Sequence, residues 1–260
     1  MPDNPLGIDH GIERLGADEA HRITLASCTV AFEYQFLKLV EWLIDYPYER
    51  GLILQRNIQM WAEHAVSYGR VDICTNYLDD NHPRQTQVPQ AVAIWLHYDQ
   101  PGGEPPLPHH YAQRLIEHCG PYAHRFCWLV ELFARRRPRD RGPHHSLEFL
   151  AAGHAGQGQD TALLHHHIAV LDSRGLGAYT VAADEHSRDL YTRHGFQMLD
   201  LVLELPGADG RGPAHVMYPM WRWPATTAEP AASGLNTSTA GHMIPSAEGL
   251  NGSTDRAAVR

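Results

Sequence analysis

The sequence predicts an α/β or α+β single domain, a mixed sheet with helices on both faces. Three observations carry this. Segments of helical periodicity alternate with short β-rich runs. The stretch LEFLAAGHAGQGQDTALLHHH, residues 147–167, reads as a strand, a glycine-bearing turn and a helix. Near the end, FQMLDLVLEL and HVMYPMWRW flank the turn PGADGRGP and close as a hairpin.

Taken in order, GIERLG is a short first strand. Residues 18–44 follow with helical periodicity, and Asp18 stands where a helix cap belongs. Residues 48–69 form a second amphipathic helix stopped by Gly69. RVDICTNYL and QAVAIWLHY are β-rich runs on either side of polar DDNHPRQTQVP, which predicts two antiparallel strands. Residues 109–137 are helical and broken near Gly120 and Pro121. HSLEFLAA is a buried strand, residues 161–175 a helix ending at Gly175, GAYTVAA a strand, and residues 185–195 a short helix ending at Gly195. The last 36 residues, 225–260, are rich in Ala, Ser, Thr and Gly and cannot repay their ordering entropy, so the chain divides into a domain, 1–224, and a disordered tail, 225–260. The tail's SGLNTST and EGLNGST are too short for a structural repeat, and their sequons are such in form only.

Bulk properties exclude several classes. A net charge of −9 argues against nucleic acid. No run of 18 apolar residues exists, and MPDNPLGIDHG is not a secretory signal, so a cytoplasmic protein without a membrane span is expected. The four cysteines match no zinc spacing and read as reduced, buried thiols. Nineteen histidines invite a metal, but adjacent residues on a helix point about 100° apart, so His165, His166 and His167 cannot share an ion, and HExxH is absent. Solvated or partly buried histidines, with no metal, are expected.

RDLYTRHGFQ, residues 188–197, resembles the xxxYxxxGF signature of the GNAT superfamily of N-acetyltransferases. LEFLAAGHAGQGQDTALL stands in the place of that family's central motif, a strand followed by QGxGxGxxLL, and HHHIAVLDSRGLGAYTVAA continues it. HVMYPMWRWP looks like the last strand of actinobacterial-type members. The resemblance covers residues 8–224, by motif in the C-terminal half and by topology in the N-terminal half. It implies a largely antiparallel seven-stranded sheet with a V-shaped split between its central strands. It also implies an acyltransferase using acetyl-CoA or another acyl-CoA on a small-molecule amine, in specialised metabolism, with pairing into a homodimer. By the same resemblance, the pantetheine arm pairs with the backbone of Phe149, Leu150, Ala151 and Ala152. The pyrophosphate rests on amides of the following turn and helix start, Gly156, Gln157, Gly158, Gln159, Asp160 and Thr161. Tyr191 protonates the departing thiolate, and Ser187 occupies a position where a side chain touches the cofactor.

The residues agree with this division of labour and also depart from it. A helix N-terminus offers free amide donors and partial positive charge to an anion. Aligned on TALL, however, the family's last glycine is Asp160, and its first polar residue is Ala155. In another register Gln157 and Gly158 are the motif's QG with a shortened turn; the sequence allows both. A carboxylate about 4 Å from a phosphate charge costs roughly 1 kcal/mol in water and roughly 4 kcal/mol at an effective dielectric of 20. Asp160 therefore weakens CoA binding or caps the helix itself. Asp184 adds further negative charge. A second functional class follows from this, a protein of the same fold with lost or weakened CoA use, serving as a small-molecule-binding protein or a repurposed enzyme. For the general base, Glu148 is the leading candidate, placed by alternation opposite Leu147 and Phe149, with Glu131 and Asp184 behind it. The acceptor pocket is expected around residues 32–48, with Phe36, Trp42, Tyr46 and Tyr48.

Overall fold

The structure is a computed structural model that describes residues 11–75, 88–99, 103–153, 158–207 and 213–225. Contacts divide the chain into one unit, Met1–Thr227, and a second, Ala228–Arg260, which lies outside the described residues, as does nearly all of the expected tail. In chain order the elements are β1 (Gly11–Arg14), α1 (Ala20–Tyr34), α2 (Lys38–Leu43), α3 (Pro47–Tyr68), β2 (Gly69–Thr75) and β3 (Ala91–His97). Then come α4 (Tyr111–Cys119), α5 (Ala123–Arg136), β4 (His144–Ala152), α6 (Gln159–Arg174) and β5 (Gly177–Ala182). The chain closes with α7 (Glu185–Arg193), β6 (Gln197–Met198), β7 (Leu203–Pro206) and β8 (Pro213–Arg222).

Eight strands form the sheet in the order β1-β2-β3-β4-β5-β8-β6, with β7 also on β8. Among the described residues only β4 and β5 pair in parallel, joined by the α6 crossover that a parallel pair requires. The strands β2, β3 and β4 are mostly buried because both faces are covered, although β2 carries Arg70 and Asp72 and β4 carries His144, His145 and Glu148. On one face Ile58, Val71, Ile94, Leu115 and Phe126 form a core with α1 to α5; on the other, Trp95, Leu147, Leu164, Leu171 and Tyr191 form a second core with α6 and α7. The edge strand β7 alternates buried and exposed residues, as one covered face demands.

Two features of β4 shape the interior. Its pairing with β5 runs only from His144–Gly177 to Leu147–Thr180, although β4 continues to Ala152 and β5 to Ala182. The strands part there, as the expected split requires. On its other side, Leu147 faces Trp95 and Phe149 faces Ile94, so Glu148 is the extra residue of a β-bulge.

Several expectations are corrected. The sheet has eight strands rather than seven, because FQMLDLVLEL breaks into β6 and β7. Residues 18–44 make two helices, since Leu37 adopts an extended conformation and α1 ends at Tyr34. Glu19, not Asp18, precedes α1, and its carboxylate accepts from the Gly16 amide instead of capping. Gly69 does end α3, but the reason is contact: a Cβ there would lie 1.9 Å from the Trp95 carbonyl oxygen. Of the cysteines, all free, Cys74 and Cys119 are buried and Cys28 is exposed. No helix among the described residues is long and apolar enough to cross a membrane.

Candidate active site

The parted ends of β4 and β5 open onto a cavity of about 360 Å³. Residues 149–152 of β4 form one wall, and Thr180, Val181, Asp184, Ser187 and Tyr191 form the other. The far end is apolar, built by Leu39, Val40, Leu54, Ile58, Trp61, Phe126 and Phe133 from the helices over the first core. Among the described residues its charged lining comprises five carboxylates, Glu33, Glu104, Glu148, Asp160 and Asp184, against one guanidinium, Arg137.

Glu148 reaches the cavity on the face opposite Leu147, and the bulge brings Phe149 to that face as well. Strict alternation would set it opposite both neighbours. The extra residue instead leaves Phe149 packed on the first core while Leu147 stays in the second, and Glu148 turns toward Arg137, just past α5. The expected opposition to Leu147 holds and that to Phe149 does not. Arg137 lies 3.4 Å from Glu148 and 3.4 Å from Glu104, and it also donates to the Tyr98 hydroxyl. Burial pushes the Tyr98 hydroxyl well up, so it stays neutral beside these charges.

Tyr191 faces Glu148's strand from α7. It is 6% exposed, and burial raises its pKa well above the ordinary tyrosine value. A tyrosine that keeps its proton is what a general acid requires. From α1, Tyr34 crosses the same cavity. Its ring packs 5.9 Å from Phe149, and its hydroxyl lies 3.1 Å from both the amide nitrogen and the carbonyl oxygen of Leu150. Burial raises it to about 12. Nothing in the local sequence around Tyr34 marks it, since its partner is 116 residues away.

At the start of α6, Gly158 takes the left-handed conformation, φ 86°, in the N-cap position. Gln159 is buried and donates to Gln90 Oε1 at 2.7 Å. Asp160 sits in the first turn, and its carboxylate accepts from the Thr161 amide at 2.7 Å. One of the donors that an anion would use is thus already filled from within the chain. Gly156 and Gln157 lie outside the described residues. Ser187 lines the cavity, but its hydroxyl closes a capping box with Asp184: the Ser187 amide donates to Asp184 Oδ1 at 2.8 Å, and the Asp184 amide donates to Ser187 Oγ at 3.1 Å.

No family model matches the sequence, and no curated protein matches it. Solved structures do. A protein described as histone acetyltransferase HPA2 and related acetyltransferase, from Corynebacterium glutamicum, superposes with a TM-score of 0.53 at 20% identity, over 82% of this chain and 96% of that one. Arylalkylamine N-acetyltransferase 2 from Aedes aegypti gives 0.52 at 12% identity, over 83% of this chain and 99% of that one. The fold is that of the GNAT acetyltransferases. At these identities the likeness establishes the architecture, and the chemistry is argued from the residues.

Other candidates fall away from this GNAT-like cleft. Glu131 is exposed on α5 and paired with Arg135 at 2.8 Å. Phe36, Tyr46 and Tyr48 are exposed, and Trp42 packs on Trp128 and donates to the Pro206 carbonyl, because the break after α1 turns this segment outward. From the same span the cavity is lined by Leu37, Leu39, Val40 and Leu43 instead.

The histidines also differ from expectation. His167 and His145 have side chains only 1% exposed, because position 167 falls on the buried stripe of α6 with Leu163, Leu164 and Leu171. Among the described residues, His97, Asp99 and His145 bring their donor atoms within 4.8 Å of one another. They form a polar chain: His145 Nδ1 lies 2.9 Å from His167 Nε2, and His167 Nδ1 lies 3.8 Å from Asp72 Oδ2. Arg70 pairs with Asp72, and Arg174 pairs with Asp99. The rings of His97 and His145 stack with centroids 3.8 Å apart.

Proposed function

We propose that the chain is an acyl-CoA-dependent N-acyltransferase, in the first place an acetyltransferase, acting on a small-molecule amine with an apolar body. The observation that carries this is the split itself, which sets Glu148 and Tyr191 on the two sides of one cavity with an apolar chamber beyond. An acceptor with an ammonium head is favoured by five carboxylates against one guanidinium, and its body by the aliphatic and aromatic lining.

In this reading Glu148 takes a proton from the ammonium group. The freed amine attacks the thioester carbonyl, a C–N bond forms, and the C–S bond breaks. Tyr191 gives its proton to the departing thiolate and regains it as the second proton that the nitrogen loses on collapse of the intermediate, while the proton on Glu148 passes to solvent. Arg137, 3.4 Å away, holds Glu148 in place. The test is thiol release from acetyl-CoA with a panel of aryl- and alkylamines. Turnover is expected with apolar primary amines, and Glu148→Gln is expected to lower kcat/KM by about 10²- to 10⁴-fold. Thiol release no faster than buffer across the panel would remove the reading.

A second reading, a binding protein or repurposed enzyme on the same cleft, is favoured by one observation. The Asp160 carboxylate fills the Thr161 amide and puts negative charge where the donor's phosphates would rest.

A further inference from the structure

Past the Leu147–Thr180 pair, β4 keeps a strand edge that β5 no longer covers. Backbone groups on such an edge need partners, and an extended ligand carrying amides can supply them as an added strand would. At Leu150 the partner is already present. The amide and the carbonyl of one residue point to the same side of a strand, and the Tyr34 hydroxyl lies 3.1 Å from each, accepting from the first and donating to the second. One side-chain hydroxyl thus satisfies both groups at the middle of the open edge.

We propose that Tyr34 is a gate on the donor arm's seat, closed in this structure, and that acyl-CoA binds only in the state where Tyr34 has swung out. The proposal rests on the acyltransferase reading, since coenzyme A carries two amides on an extended arm that would pair with this edge. The gate can move without unfolding anything. Tyr34 is the last residue of α1, and the chain turns at 35–37, so rotation of its side chain leaves the helix ladder intact. Its own carbonyl stays fixed by the Leu37 amide at 2.9 Å. A closed fraction lowers the apparent affinity by the fraction that is open.

The test is calorimetric titration of the full chain, Tyr34→Phe and Tyr34→Leu with acetyl-CoA and with adenosine 3′,5′-bisphosphate, which lacks the arm. The phenylalanine keeps the packing on Phe149 and removes only the hydroxyl; the leucine also removes the ring. Acetyl-CoA is expected to bind about 5- to 30-fold tighter to Tyr34→Phe, the worth of one to two net hydrogen bonds, and at least as tightly to Tyr34→Leu. The bisphosphate is expected to bind all three alike. Unchanged or weaker binding of acetyl-CoA by both variants overturns the gate and leaves the acyltransferase reading standing. An equal gain for both ligands also overturns the gate, because it marks a general loosening of the cleft. Acetyl-CoA bound by none of the three removes the acyltransferase reading, and the gate with it.

Discussion

Asp160 and Glu148 are carboxylates in one cavity, and their neighbours give them opposite parts. Glu148 is held by a guanidinium at 3.4 Å, at a bulge in β4. Asp160 is held by a backbone amide at a helix start, the place an anion would take. Asp160→Asn keeps the hydrogen bond to Thr161 and removes the charge. Acetyl-CoA is then expected to bind roughly tenfold to a thousandfold tighter, the range that a removed charge about 4 Å from a phosphate implies, and calorimetry reads it. At Tyr191 the expectation is kinetic. Tyr191→Phe should lower kcat by about 100-fold while leaving acetyl-CoA affinity within a few-fold, because it removes a proton donor and no binding contact. A loss confined to KM would contradict the role.

Among the elements, α7 shows most directly how local sequence fixes the cleft wall. Asp184 and Ser187 cap its first turn reciprocally, which holds Tyr191 two turns further on. Asp184→Ala is expected to cost about 1 kcal/mol, seen as a lowered denaturant midpoint at unchanged slope. Gly69→Ala should be far worse, more than about 4 kcal/mol, since its Cβ meets the Trp95 carbonyl oxygen of the neighbouring strand. These elements also mark what the sequence could reveal. The strand and the helix within 147–167, the helix stops at Gly175 and near Gly195, and the closing antiparallel pair were legible because glycine, proline and apolar period act locally. The bulge at Glu148 was not, because register belongs to two strands and only one is read at a time. Nor was the break after Tyr34, since residues 18–44 keep a helical apolar period straight through it. The same break removed Phe36, Tyr46 and Tyr48 from the pocket that their composition suggested. Of the site, Tyr191 and Glu148 were readable by resemblance and by position, whereas Arg137 and Tyr34 depend on contacts that close only on folding.

For the whole molecule, the buried histidine chain sets the response to pH. Burial is the first cause of the lowered pKa of His97, to about 4, of His145, to about 3, and of His167, to about 2. Asp99, Asp72, Arg70, Arg174, Arg14 and His166 are the charged and titratable groups around them. In the unfolded chain these imidazoles titrate near 6.5. Below that pH the unfolded state takes up protons that the folded state refuses. Stability should therefore be full above about pH 6.5 and fall as pH drops toward 4, by up to about 1.4 kcal/mol per pH unit for each histidine. Thermal melts between pH 7.5 and 5 check this, and a flat Tm across that range would contradict it. The cleft poses the larger question. On the proposed reading it seats acyl-CoA, yet Asp160 and Tyr34 each fill a backbone group that the donor would use. The most direct measurement is a calorimetric titration of the unmodified full-length chain with acetyl-CoA at neutral pH. Saturable binding of one acetyl-CoA per chain, in the micromolar to low millimolar range, is the expected result. Titration to several millimolar with no saturable heat would contradict the acyltransferase account and leave the fold serving another ligand.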